Sequence, residues 1–287
     1  MNLKQTMFAL GMAAGAAGAL TLLRPRPRGL PKPMRASTAL VTGASSGIGA
    51  AFARRLAGLG YNLILVARRA DRLEAFAGEL RRAFGVQVTV VAADLTRDED
   101  VARVEAVIRE RPDLDLLINN AGFGVEGKFH AAPIGPQLDM IQLHVLTPIR
   151  LTRAALEGMV ARQRGGIINV ASLAGFMALP GNASYCATKG YLITFSKALA
   201  LELAGTGVHV QALCPGFTHT EFHNDLQRFD KVRMPAILWM SADAVVEASL
   251  KALARRKVIC IPGVGNRLLG WVGSSPLVEP AMCVALR

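Results

Sequence analysis

The chain carries only four cysteines in 287 residues: Cys186, Cys214, Cys260 and Cys283. None forms a CxxC pair and none has metal-site spacing, so neither a disulfide scaffold nor a zinc module is encoded. They read as reduced thiols of a cytosolic domain. Aromatic residues are scarce, at 6%. The basic stretch Arg24, Arg26, Arg28, Lys32 and Arg35 has none interleaved with it. A net charge of +12 without that interleaving argues against nucleic-acid binding and leaves a membrane surface or anionic small molecules as partners. Internal repeats are also absent, which removes solenoids and propellers.

Before the basic stretch lies an uncharged run, Met7 to Leu23, of seventeen residues. A spanning helix needs about 20 apolar residues, with a lower limit near 17. Lys4 precedes the run and the basic stretch follows it, which puts the C-terminal flank in the cytoplasm. Residues 1–23 therefore read as a membrane-anchor helix. A cleaved signal peptide and a helix lying on the domain surface are the competing readings. Residues 24–36, with Pro25, Pro27, Pro31 and Pro33, form a stiff basic linker.

From residue 37 apolar runs alternate with helical periodicity. Strands are expected at Thr38–Val41, Asn62–Ala67, Val86–Ala92, Leu114–Ile118, Ile167–Val170, Val208–Leu213 and Val258–Ile261. Helices are expected at Gly47–Leu59, up to Phe84, from Asp98, over Gln137–Gln163, over Ser184–Leu203 and over Ala242–Ala254. Near-continuous apolar strands separated by helices call for a parallel sheet covered on both faces. Right-handed crossovers make it a doubly wound, Rossmann-like α/β sheet. It is expected as one domain over 37–263, followed by an apolar, Gly/Pro-rich tail at 264–287 that packs on the domain or on a bilayer.

Residues Thr42–Gly49 read TGASSGIG, between the first strand and the first helix. Gly43 allows a sharp turn, Gly47 lets the backbone approach a pyrophosphate, and Gly49 lets helix and strand pack closely. Ser45, Ser46 and Ile48 fill the turn, and the helix N-terminus offers free N–H groups to phosphates. This segment resembles the cofactor turn of the short-chain dehydrogenase/reductase family, and the resemblance runs over roughly residues 36–263.

The resemblance implies a nicotinamide-dependent oxidoreductase. After the second strand, Ala67 cannot bind ribose hydroxyls as an acidic residue would, while Arg68 can pair with a 2′-phosphate; NADP(H) is the cofactor expected. Asp94 and Leu95 match the adenine-contacting position, and Asn119, Asn120, Ala121 and Gly122 match the NNAG motif. Tyr185 and Lys189 form a YxxxK on one helix face. The ammonium, with a nicotinamide cation, is expected to lower the phenol's pKa so that Tyr185 acts as acid or base. Ser172, thirteen residues earlier, matches the family's catalytic serine and would stabilise charge on the substrate oxygen. Pro215 and Gly216 match its PG motif. Phe217 and Thr218 would then meet the nicotinamide amide through backbone groups and Thr220 through its hydroxyl, and the stretch through Pro235 would form a substrate lid.

One position departs from the pattern. Where the family has a catalytic asparagine, this chain has His144. Three readings stand: the backbone at 144 keeps the relay water, aided by Pro148; the imidazole titrates and joins the relay; or the relay is damaged. The expected substrate is a small-molecule carbonyl or alcohol, lipophilic if the enzyme is anchored. A non-catalytic NADP-binding redox sensor at the membrane is the alternative, and a homo-oligomer is left open.

Overall fold

The structure, a computed structural model, describes residues 37–221 and 238–273. Nine strands occur among them: β1 (Thr38–Thr42), β2 (Asn62–Ala67), β3 (Val88–Ala92), β4 (Leu114–Asn119), β5 (Gly165–Val170), β6 (Val208–Leu213), β7 (Thr218–His219), β8 (Met240–Ser241) and β9 (Ile259–Cys260). The helices are α1 (Gly47–Gly58), α2 (Ala70–Phe84), α3 (Asp98–Arg109), α4 (Ile134–Ile141), α5 (Thr147–Ala161), α6 (Ala183–Glu202), α7 (Ala242–Ala254) and α8 (Val264–Gly273).

Seven strands form one parallel sheet in the order β3-β2-β1-β4-β5-β6-β9. β1 and β4 are buried at every position, whereas the edge strand β3 is buried only at Val88. Central strands of such a sheet lie under helices on both faces, so each of their side chains must be apolar or internally bonded. Successive β1 residues show it. Ala39 and Val41 join α1, α2 and α7 in one core, while Leu40 joins α3, α5 and α6 in the other.

The strand order reverses between β1 and β4. Loops leaving their C-terminal ends diverge there and open a crevice, which is where open α/β sheets place ligands. β7 and β8 pair separately, joining residues 218–219 to 240–241.

The expected helix over Gln137–Gln163 is instead two helices joined by a π-helical turn at Gln142–Leu146. Pro148 is the physical reason nearest to hand. It lacks the N–H that would bond the carbonyl of His144, four residues back, in an unbroken α-helix. The stretch expected as a tail contributes α8, whose Asn266 is only 1% exposed. The segments 1–36, the lid through Pro235 and residues 274–287 lie outside the described residues. Among the described residues no helix is long and apolar enough to cross a membrane.

Candidate active site

The crevice is a cavity of about 790 Å³. The phosphate turn forms one end. Gly43 and Gly47 take φ of +65° and +55°, which L-side chains rarely adopt. A Cβ on Gly49 would lie 2.2 Å from the Gly43 carbonyl oxygen, so helix and turn touch through backbone alone. Asn120 holds the turn from below: its Nδ2 donates to the carbonyls of Thr42 (2.9 Å) and Gly43 (3.3 Å). The Thr42 hydroxyl accepts from the backbone N–H groups of Asn120 and Ala121.

Beyond β2, Arg68 and Arg69 line the cavity. No carboxylate stands at the end of β2 to bind ribose hydroxyls, so the donors present suit an anion. Arg69 reaches over the turn, its Nη2 donating to Ser45 Oγ (3.1 Å) and Ser46 Oγ (3.4 Å). Burial works to raise the Asp94 carboxyl. Hydrogen bonds from Thr96 and the charges of Arg68 and Arg97 outweigh it and hold the group below the usual range. The fit to a dinucleotide carrying a 2′-phosphate is therefore good at both the turn and the arginines.

The other end is built by β5 and α6. Ser172 ends β5 and caps a short 3₁₀ turn, its Oγ accepting from the Ala174 N–H at 3.1 Å. Its hydroxyl also bonds Tyr185. Lys189 lies one helical turn beyond Tyr185, 5% exposed, its Nζ 5.6 Å from the Tyr185 ring centre and donating to the Val170 carbonyl at 3.0 Å.

Burial governs the electrostatics of this pair. Burial pushes the Tyr185 phenol up to about 12, although the Ser172 hydrogen bond works the other way. The neighbouring ammonium does not reverse this, because its nearest bond is to a carbonyl and it is itself desolvated; burial pushes Lys189 down to about 8. At neutral pH the protein alone presents a neutral phenol beside a charged lysine.

His144 lies behind this group, 1% exposed, its ring edge-on to Tyr185 at 5.8 Å between centres. Its Nε2 accepts from the Phe123 N–H at 3.3 Å and its Nδ1 meets Thr188 Oγ1 at 3.1 Å. The Thr188 hydroxyl donates to the Tyr185 carbonyl at 2.9 Å, so Nδ1 carries the imidazole proton. Burial, then the charge of Lys189, push this imidazole well below its ordinary value. A Cβ on Gly122 would come within 2.6 Å of Nε2, so the NNAG glycine makes room for the histidine.

Of the site residues named from sequence, all line the cavity except Gly49, which packs beneath the turn, Asn119, which is buried against Thr152 and Asn169, and His144, which packs behind Tyr185. Sequence reading missed Arg69 as a cavity residue, although the doubled arginine was a signal. It missed Glu221, Asn182 and Leu269, whose roles depend on distant segments meeting.

The family model for short chain dehydrogenases matches residues 37–231. A very-long-chain 3-oxoacyl-CoA reductase of Phaeosphaeria nodorum is 34% identical over 227 residues, 77% of this chain and 64% of the relative's length. The chain thus spans just under two thirds of that relative. A short-chain dehydrogenase of Sphingobium yanoikuyae, solved in complex with NADPH, superposes with a TM-score of 0.75 at 38% identity, covering 83% of this chain and 93% of the other. The bulky-bulky ketone specific alcohol dehydrogenase of Comamonas testosteroni does so with a TM-score of 0.73 at 33% identity, covering 88% and 96%. With its sheet order, turn and motif spacing in place and the family model matched over two thirds of its length, the chain belongs to the short-chain dehydrogenase family.

Proposed function

We propose that this enzyme reduces a bulky, lipophilic ketone with NADPH, using Tyr185 as the proton donor. The observation that carries the reading is the grouping of Ser172, Tyr185 and Lys189 on one wall of an apolar-lined crevice, where burial favours the neutral phenol. A phenol that keeps its proton at neutral pH suits donation to a carbonyl, which is the reductive direction. Ser172 hydrogen-bonds the carbonyl oxygen and stabilises the charge that grows there. Lys189 keeps a positive charge near the phenol as it gives up its proton. Asn120 fixes the phosphate turn that would hold the dinucleotide, with Arg68 and Arg69 placed to meet its 2′-phosphate. NADPH would supply the hydride when bound.

Phe123, Met177, Leu179, Phe217, Leu238 and Leu269 line the substrate end, which supports a lipophilic ligand. The bulky ketone and 3-oxoacyl substrates named for the relatives point the same way. The uncharged run 7–23 followed by basic residues supports a membrane anchor that leaves the domain on the cytoplasmic side. Cell fractionation with protease access from each face is its check, and recovery of the whole chain as soluble protein would refute it.

The catalytic reading is tested by following NADPH oxidation with a panel of bulky aryl, alicyclic and 3-oxoacyl ketones, alongside a cofactor titration. Turnover of bulky members is expected. Tight NADPH binding with no oxidation on any of them would instead favour a redox sensor.

A further inference from the structure

The cationic end of the cleft already holds an anion of the protein's own. Glu221 follows Thr220 in the segment leaving β7 and lines the same cavity as Arg68 and Arg69. Its carboxylate lies 3.1 Å from Arg72 Nη1 and 3.5 Å from Arg69 Nη2. That Arg69 nitrogen is the same one that donates to Ser45 and Ser46 of the phosphate turn. One guanidinium nitrogen carries two protons, so three acceptors already crowd it. The ion pairs are exposed, with side chains near 50% accessible, and the Arg72 and Arg69 contacts keep the carboxyl below its ordinary range.

We infer that Glu221 is a specificity-determining residue that acts as an internal stand-in for the 2′-phosphate, occupying Arg69 and Arg72 in the free enzyme and competing with NADP(H) but not with NAD(H) for them. The inference rests on the NADP reading above. Its physics is simple. A phosphate dianion entering beside the carboxylate meets a like charge and must displace it from shared donors. A cofactor with a bare ribose hydroxyl meets neither cost. Glu221 therefore keeps the arginines ordered and partnered when no cofactor is bound, and holds the affinity for the phosphorylated cofactor below what two free arginines would give.

The test is equilibrium binding rather than turnover. NADPH, NADH, 2′,5′-ADP and 5′-ADP are titrated into the full chain and into Glu221→Gln, which keeps the size and removes the charge. Exposed ion pairs of this kind each contribute modestly, so NADPH and 2′,5′-ADP are expected to bind about three- to tenfold tighter to the variant. NADH and 5′-ADP should change by less than about twofold, and added salt should shrink the gain. Weaker NADPH binding in Glu221→Gln would overturn the inference, since it would make Glu221 a clamp rather than a competitor. Equal tightening of NADH would overturn it too, because the effect would not belong to the 2′-phosphate. If the unmodified enzyme binds 2′,5′-ADP no better than 5′-ADP, the NADP reading itself fails, which is a different result. A thermal unfolding curve run alongside shows that the variant is folded, and an unchanged NADH affinity reports an intact phosphate turn.

Discussion

The two ends of the cleft work by opposite physics. At the phosphate end Arg68, Arg69, Arg72 and Glu221 are all exposed, and their partners are hydroxyls and carboxylates that water can replace. At the chemical end Lys189 and His144 are nearly sealed, and burial is the first cause of each pKa displacement. Exposed charges are screened and individually weak, so they suit recognition that must be reversible. Desolvated groups hold fixed protonation states, which proton transfer requires. The same crevice thus selects a cofactor with soft interactions and performs chemistry with hard ones.

The sharpest break between the ends is Tyr185→Phe. It keeps the ring that packs on His144 and removes the proton. We expect kcat to fall by about a thousandfold, the middle of the range for a general acid, with NADPH affinity within about twofold. A variant retaining most of its rate would remove Tyr185 from the chemistry.

Lys189→Met separates catalysis from stability at one residue. The rate should fall by about a hundredfold. The folded protein should nevertheless gain stability at pH 7, because a desolvated ammonium no longer has to be buried. The sign follows from the lowered pKa. Folded Lys189 titrates near 8 and the unfolded residue near 10.5, so between these values the unfolded chain binds more protons and the unmodified enzyme gains stability as pH rises. The variant's advantage, on the order of 2 kcal/mol at pH 7 after lost packing, should therefore shrink from pH 8 to pH 10. Urea unfolding of both proteins at three pH values measures it. An advantage that grows with pH would contradict the burial argument.

Arg68→Ala probes the soft end. NADPH should bind about tenfold more weakly while NADH hardly changes, as suits the loss of one charge-assisted contact. Raising the salt should erode the NADPH advantage of the unmodified enzyme in the same way but leave kcat alone. Equal losses for the two cofactors would mean that Arg68 has no part in their discrimination.

How much of this was legible in the sequence follows the same division. Buried strands wrote themselves as apolar runs, and β2 and β6 fall where expected, at Asn62–Ala67 and Val208–Leu213. The turn and the Ser172, Tyr185 and Lys189 spacing were legible because one strand end and one helix face carry them. Contacts made across the chain were not. Glu221 meets Arg72 over a separation of 149 residues, and neither neighbourhood hints at the other. β7 and β8, two residues each, are too short to show an alternation. The break at Gln142–Leu146 was hidden because apolar residues recur across it as they would in one helix; only Pro148 marked it. The burial of Tyr185 and Lys189 was not legible, because a YxxxK shows a neighbouring charge but not the degree of burial.

His144→Asn should have the smallest effect on rate, and it decides what the departure at this position means. An imidazole that relays protons must titrate near the working pH. Here burial and the charge of Lys189 keep it neutral, and both nitrogens are already committed, Nε2 to the Phe123 N–H and Nδ1 to Thr188. The feature left to serve the site is the π-helical turn itself, a distortion of the kind that often sits beside functional groups, with Pro148 denying His144 its α-helical donor. Asparagine can accept from Phe123 or reach Thr188, but its shorter side chain does not span both. The variant should therefore lose about 1–2 kcal/mol of stability, the size of one buried hydrogen bond. Its kcat should stay within about threefold, well short of the hundredfold or more that a proton-transfer group contributes. Its kcat–pH profile should keep every limb of the unmodified enzyme's. If the variant instead lost a limb near neutral pH together with most of its rate, the imidazole would be a working member of the relay, and the buried, neutral His144 described here would not be the state in which the enzyme turns over.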